Sequence, residues 1–443
     1  MKLWDKGIPI NKRIENFTIG RDRELDLLLA KYDILGTIAH IIMLEKIELI
    51  TGDELIRLRN ELKAIYKQIE KGHFVIDEGI EDVHSQIEFL ITQKVGEAGK
   101  KIHSARSRND QVLLDIKLYS RAKLLDVADS VNRLFLTLID LSEKHKDKLM
   151  PGYTHLQVAM PSSFGLWFGA YAESLSDDLH LLAAAYKIVN QNPLGSAAGY
   201  GSSFPIDRDL TTKLLGFDTM NYNVVYAQMG RGKTERAVTA ALGLIASTIS
   251  KLAYDACLFM NQNFGFVSLP DEFTTGSSIM PHKKNPDVFE LIRAKCNKIQ
   301  ALANEMTLIS NNLTSGYFRD YQILKEQYLE SFDSLIDCMD IAKYALQKIR
   351  IKEDILENDL YKYVFSVEEL NKEVLKGKPF REAYKLVGER IQKGDFSPDK
   401  KINHVHAGSI GNLCNNEIKK KFTSAFTFFN RGEIEKSEKE LLN

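Results

Sequence analysis

The sequence predicts an all-α fold: three helical domains per protomer, with central long helices that pack between chains. Three observations predict it. Residues 100–150, 287–315 and 317–376 contain neither Gly nor Pro, the two residues that most readily break a helix. Val127, Val131, Leu134, Leu138 and Leu141 are spaced 4, 3, 4, 3. Val238, Leu242, Ile245, Ile249, Leu252, Ala256 and Phe259 continue that alternation, which is the seam of a helix bundle. Ala237, Ala241 and Leu244 then add a second apolar stripe beside this seam. A helix apolar on two faces needs neighbours on two sides, so an oligomer is expected.

The elements follow in order. Residues 1–105 mix short helical patterns with Gly breaks and read as an N-terminal, mostly helical domain. Residues 106–355 carry the long breaker-free runs and form the central bundle domain. Residues 356–443 are shorter in pattern, richer in charge, and form a small C-terminal helical domain. At 443 residues the chain exceeds one ordinary core, which agrees with several domains.

Composition narrows the function. The chain has 59 basic and 60 acidic residues, a net charge of −1. That balance argues against a nucleic-acid or membrane-surface partner, which would call for a basic excess. Cys257, Cys296, Cys338 and Cys414 lie far apart and suggest neither a zinc site nor a disulfide framework. Free cysteines fit a cytoplasmic location. Met1-Lys2-Leu3-Trp4-Asp5-Lys6 lacks the apolar stretch of a secretory signal. No uninterrupted apolar run approaches the ~20 residues of a membrane-spanning helix.

Polar clusters interrupt the helical patterns. Gly276 to Asp287 places a Gly hinge, Ser277 and Ser278, and Lys283 and Lys284 on one short segment before a helix. Asn285 is the expected N-cap and Pro286 the expected first helical residue. A mobile loop bearing cations and a hydroxyl suits closure over a polycarboxylate; the plainer reading is a solvated basic turn. Glu290 falls in the first turns of that helix, where a carboxylate also serves the helix dipole. His103 to Gln111 includes Arg106 and Arg108, whose guanidinium groups suit planar carboxylates; a Ser-capped helix N-terminus is the alternative. In Pro151-Gly152-Tyr153-Thr154-His155-Leu156-Gln157 the Pro and Gly stop the preceding helix, and His155 stands at a helix junction. Tyr317, Gln322 and Lys325 share a polar helix face. Gly230-Arg231-Gly232-Lys233-Thr234 imitates a phosphate loop, but Ala227 occupies the place of the required first Gly and no buried strand leads in. No HExxH or similar ligand spacing indicates a metal.

These clusters, in this order, resemble the fumarase/aspartase superfamily. Ser277-Ser278-Ile279-Met280-Pro281, Lys283 and Asn285 resemble its signature loop. Arg106 to Gln111, Gly152 to Gln157, Lys284 with Pro286-Asp287, Gly377 to Ala383 and the start Lys2-Leu3-Trp4 are similar to the argininosuccinate lyase family within it. The resemblance implies an all-α homotetramer whose long helices pool into one bundle and whose active sites draw on three chains. It implies β-elimination of argininosuccinate to arginine and fumarate, with no metal or organic cofactor and a small-molecule substrate. It assigns Ser277 as base, Lys283 and Asn285 to the carboxylate that gathers charge, His155 to the acid side, and Glu290 of another chain to orient it. Thr18, Ser107, Arg108, Asn109, Thr154, Tyr317, Gln322 and Lys325 bind substrate by the same resemblance, with Asp22 beside Thr18.

Four positions depart from the family pattern. His282 replaces a Gln, Ala105 a Gly and Ile87 an Asn, and Lys233 sits where an acidic residue is expected. They bear on how the amino-bearing half of the substrate is held. Two alternatives stand beside the leading reading: a sibling lyase acting on another N-substituted aspartate, and a structural protein like the delta-crystallins, which share the fold.

Overall fold

The computed structural model describes residues 11–443; the Lys2-Leu3-Trp4 start lies outside them. Sixteen α-helices and three two-stranded sheets occur among the described residues. The N-terminal part is α1 (Lys12–Ile19), α2 (Asp22–Lys46), α3 (Gly52–Glu70), α4 (Val83–Val95) and the single turn α5 (Glu97–Lys100). The long helices are α6 (Arg108–Lys144), α7 (Phe164–Val189), α10 (Lys233–Met260), α11 (Asp287–Ser310) and α12 (Leu324–Gln347). Short α8 (Arg208–Leu214) and α9 (Val224–Met229) lie between α7 and α10. The chain ends in α13 (Ser366–Leu375), α14 (Phe380–Gln392), α15 (Asn415–Phe426) and α16 (Gly432–Leu442).

Local chemistry starts these helices where they start. Thr51 and Glu54 form a reciprocal capping box at α3, and Ser107 with Asp110 does the same at α6, satisfying N–H groups that the first turn leaves unpaired. From there α6 runs 37 residues without a breaker, about 55 Å at 1.5 Å per residue. Its predicted seam, Val127 to Leu141, is buried, as is the α10 seam from Val238 to Phe259. α6 packs on α7 and α12, and α10 lies along α11. One continuous apolar core links Leu25 of α2 to Leu441 of α16. A separate small cluster, Leu370, Ala383, Val387 and Phe396, joins α13 to α14. By length and composition α2 and α10 could each cross a membrane, but 78% and 61% of their most apolar stretches are buried in the protein.

Tyr317 and Gln322 lie in the irregular segment and 3-10 turn before α12 rather than on one helix face with Lys325. The structure differs from the sequence reading in two further places. Pro151 and Gly152 do not simply end a helix; they lie in β1 (Leu149–Thr154), which pairs antiparallel with β2 (Gln157–Ser163). His155 and Leu156 form the two-residue turn, both with positive φ (54° and 58°). Primed turns of this kind match the strand twist but demand left-handed residues, usually Asn or Gly. The second correction concerns α11, which begins at Asp287, with Pro286 rather than Asn285 at its N-cap. Asn285 instead pairs with Thr275 across the neck of the preceding loop.

Two glycines test the packing. A Cβ on Gly165 would sit 2.7 Å from the Lys146 Cα and 2.9 Å from the Ser142 carbonyl oxygen, which is fixed backbone at the α6–α7 junction. On Gly243 the nearest heavy atom would be the Gln300 Cα at 3.5 Å, an ordinary contact. Gly165→Ala is expected to destabilise by about 1–3 kcal/mol through overpacking. Gly243→Ala should gain about 0.5–1 kcal/mol from helix propensity. Denaturant unfolding of both variants checks this; a Gly165→Ala protein as stable as its parent would contradict the close approach.

Candidate active site

A cavity of about 150 Å³ opens where the N-terminal ends of α2, α4 and α6 meet the segment entering α12. Of the residues singled out in the sequence, Arg108, Asn109, Tyr317, Gln322 and Lys325 line it, with Asp22. Lys325 is buried; its ammonium lies 2.6 Å from Asp22 and 2.8 Å from Asp26, four residues apart on one face of α2. Burial pushes the Asp22 carboxyl up, and although Lys325 pulls it back it remains raised to about 6. Burial opposes the charge on Lys325, but Asp26 and Asp22 outweigh it and hold its pKa above the usual lysine value. Arg108 donates to Ser85 Oγ at 2.6 Å and pairs with Asp82 and Glu81 on the approach to α4. Thr18 sits at the rim, its carbonyl accepting from Gln322 and Arg319, both at 2.8 Å. Ser107 is used locally, its hydroxyl accepting the Asn109 N–H as the α6 cap.

The remaining candidates, Thr154, His155, Ser277, Lys283, Asn285 and Glu290, do not line this cavity. Thr154 and His155 are exposed at the tip of the β1–β2 hairpin. Tyr153 anchors that hairpin by packing edge-on against Phe264. Thr275 and Asn285 exchange both backbone hydrogen bonds, closing the neck of a loop that carries residues 276–284. Inside the loop Ser277 Oγ accepts two backbone N–H groups, from Ile279 at 3.3 Å and Met280 at 3.2 Å. Lys284 pairs with Asp271, whereas Lys283 is exposed and makes no ion pair among the described residues. Glu290 follows on the exposed face of the first turn of α11.

Behind the cavity wall lies a buried polar node. His84 Nδ1 is 2.8 Å from Asp33 Oδ1 and 3.7 Å from Asp115 Oδ2. Burial pulls the imidazole pKa down, but Asp33, Asp115 and Asp82 outweigh it and leave it raised to about 9. Asp33, His84 and Asp115 bring ligand-type atoms within 4.8 Å of one another. With Nδ1 committed to a carboxylate, the set has the chemistry of an ion pair rather than of a metal cradle. Asp110, also buried, accepts N–H groups from Gly195 at 3.0 Å and Ala197 at 2.8 Å, tying α6 to the loop after α7.

Sequence reasoning missed Asp26, Glu81, Asp82, His84, Val112, Arg231 and Arg319 as cavity residues. A signal existed for one stripe: Asp22, Asp26 and Asp33 are spaced 4 and 7, which places them on one helix face. Nothing comparable marks Arg231, which reaches the site only because α10 begins there, held by Glu235 at 2.8 Å and the Tyr321 carbonyl at 2.8 Å.

The long-helix bundle, the polar cavity at helix ends and the sequence of the serine–lysine loop define a lyase of the fumarase/aspartase type. The lyase family profile matches residues 7–301. Argininosuccinate lyases of Phocaeicola vulgatus and Bacteroides fragilis are each 62% identical to the chain over 441 residues, covering 100% of it and 99% of their own length. The argininosuccinate lyase of Thermotoga neapolitana is 38% identical over 389 residues, 88% of this chain and 98% of its own. The chain belongs to the argininosuccinate lyase family. A solved EDDS lyase in complex with formate has a TM-score of 0.76 at 20% identity over 96% of this chain and 94% of its own. A class II fumarase from Schistosoma mansoni gives 0.72 at 15% identity over 92% and 91%. At these identities the two structures speak for the fold alone.

The Lys325 clasp yields a signed prediction. Asp22 is held at about 6 with the lysine present, so its ionisation already opposes folding as pH rises from the usual carboxylate range through 6. Lys325→Met removes the larger pull in the opposite direction, leaving only the weaker one of Arg319. The variant should lose about 3 kcal/mol at pH 8 and markedly less at pH 5, where a protonated Asp22 needs no cation. Thermal unfolding at the two pH values reads the difference; an equal loss at both would contradict the clasp.

Proposed function

We propose that the chain catalyses reversible β-elimination of argininosuccinate to arginine and fumarate, as a homotetramer in the cytoplasm whose active sites draw on three chains. Ser277 Oγ takes a proton from the carbon next to a substrate carboxylate. The C–N bond then breaks, its electron pair leaves on the guanidino nitrogen, and an acid-side group at His155 protonates that nitrogen. The charge that gathers on the carboxylate meets Lys283 and Asn285. Glu290 of another chain orients His155. Thr18, Ser107, Arg108, Asn109, Thr154, Tyr317, Gln322 and Lys325 hold the substrate, and no metal or organic cofactor takes part.

One observation carries this reading: the hydrogen-bond pattern around Ser277. Its Oγ accepts two backbone N–H groups, and donors of that kind favour an ionised hydroxyl. An ammonium without an ion pair among the described residues, Lys283, shares the loop. The need for other chains is supported by the exposure of Ser277's loop and of His155, both outside the cavity of the same protomer. Leu244, Tyr254, Leu291, Leu308 and Tyr344 are also exposed on the bundle helices, an apolar surface suited to neighbouring copies. The full-length identity to argininosuccinate lyases favours this substrate over another N-substituted aspartate and over a structural role.

Two experiments test the reading. Ser277→Ala should lower kcat by about 10³-fold or more with KM within about twofold, the pattern of a group acting only in the transition state. Fumarate absorbance in the near ultraviolet reports it, and equal losses in kcat and affinity would remove Ser277 as base. Inactive Ser277→Ala and His155→Asn proteins, unfolded together and reassembled, should regain up to about a quarter of parental activity if the two residues meet from different chains of a symmetric oligomer. No regain from well-assembled mixtures would place both on one chain.

A further inference from the structure

His84 is a cavity residue that the proposed roles do not use. Its ring is anchored from behind: Nδ1 is held by Asp33, and Asp115 stands beyond it. The opposite nitrogen, Nε2, makes no hydrogen bond to a described residue and is not among the sealed unpaired atoms. Since His84 lines the cavity, Nε2 is the ring atom that opens to it. The other cavity cations are matched inside the protein. Lys325 has Asp22 and Asp26, Arg108 has Glu81 and Asp82, Arg231 has Glu235, and Arg319 has Glu81.

We propose that His84 is a substrate-contacting residue whose Nε2–H, fixed in direction by Asp33, donates to the α-carboxylate at the amino-acid end of the substrate. The inference rests on the reaction proposed above. Four carboxylates border the same cavity, Asp22, Asp26, Glu81 and Asp82. Beside the cations of the same wall they suit a zwitterionic end, an α-ammonium next to an α-carboxylate, better than a dicarboxylate with no cationic group of its own. The loop with Lys283 serves that other end. The groups that set the charge on His84 are Asp33 from α2, Asp82 at the cap of α4 and Asp115 from α6; His103 on the approach to α6 faces it as well, and Asp26 and Arg106 act on Asp115 beside it. Their sum keeps the ring cationic at neutral pH, the state in which Nε2 is a donor.

The experiment compares the assembled parent with His84→Asn, whose amide can still reach Asp33 but is too short for the cavity. Calorimetric titration with free arginine and with fumarate is read beside the KM for argininosuccinate. Arginine Kd and that KM are expected to rise about tenfold or more, the size of one charge-assisted hydrogen bond, while fumarate affinity stays within about twofold. The ratio of variant to parental arginine Kd should shrink above about pH 9, where the parent's imidazolium is lost; the ligand's own titration cancels in that ratio. Unchanged arginine binding, or fumarate weakened as much as arginine, would overturn the assignment. If the variant does not assemble, a crystal of the parent with arginine decides: Nε2 within about 3.2 Å of a carboxylate oxygen supports the contact, and a greater separation refutes it. A parent that binds arginine through His84 yet releases no fumarate from argininosuccinate would sink the reaction assignment and leave the His84 contact standing.

Discussion

The clasp of Lys325 between Asp22 and Asp26 is the contact on which the rest of the molecule turns. It joins α12 to α2 across 299 residues of sequence. Apolar seams are non-directional, so helices packed only through them could exchange registers at little cost. A buried ammonium with two carboxylates within 3 Å admits one arrangement, because a shift by a turn would strand a charge in low dielectric. Further buried polar contacts repeat the device. Asp33 and Asp115 fix His84, joining α2, α4 and α6. Asp110 fixes α6 to the loop at 195–197, and Arg231 joins α10 to the segment at Tyr321. All converge on one end of the bundle. The pocket is therefore where the fold concentrates the charge it has buried.

That arrangement explains the division of chemistry between rigid and exposed parts. Groups that must recognise a ligand by geometry sit on helix ends whose positions are set by matched ions. The hydroxyl and ammonium of the 276–284 loop sit on a segment pinned only at its neck by Thr275 and Asn285. A loop held at its base and free at its tip can close over a ligand, and closure would exclude water from the hydroxyl it carries. His155 is displayed differently. Its turn is strained, with His155 and Leu156 both left-handed, and a β-hairpin gives it a stiff support that a helix end would not.

Much of the helical frame was legible because it rests on local rules. The seams of α6 and α10 are spacing patterns, and Ser107 with Asp110 is a capping box written in four residues. The hairpin at 149–163 was not legible. Pro151 and Gly152 are helix stops by any local rule, and the strands exist because Tyr153 and its neighbours pack on Phe264 and Phe266. Half of the candidate site was legible through motifs: Arg108, Asn109, Tyr317, Gln322 and Lys325 meet although more than 200 residues separate the two groups. Of the acidic partners, those on α2 carried a spacing signal, whereas Asp115 was hidden inside α6, where an apolar periodic pattern masks a single buried aspartate. The relation of the Ser277 loop to the cavity was illegible for another reason: a periodic pattern shows that a helix has neighbours but not which chain supplies them.

The four departures from the family pattern acquire physical meaning in this frame. Lys233 does not intrude on the cavity; its ammonium lies 5.3 Å from the centre of the Tyr226 ring, and Arg231 with Glu235 occupies the wall instead. Ile87 is buried in the apolar core, so its loss of polarity is absorbed by packing. His282 is exposed on the loop. Ala105 is the costly one. It holds φ of 64°, where a Cβ costs roughly 1 kcal/mol or more relative to glycine. It is kept there because Arg106 beside it is buried and donates to Thr37 at 3.0 Å, while the Arg106 N–H closes a turn onto His103. Strain of this kind persists only where neighbours over-determine the backbone. Here the over-determining contact is the one that launches α6 with Arg108 and Asn109 facing the cavity, so the strained residue and the site residues have the same cause.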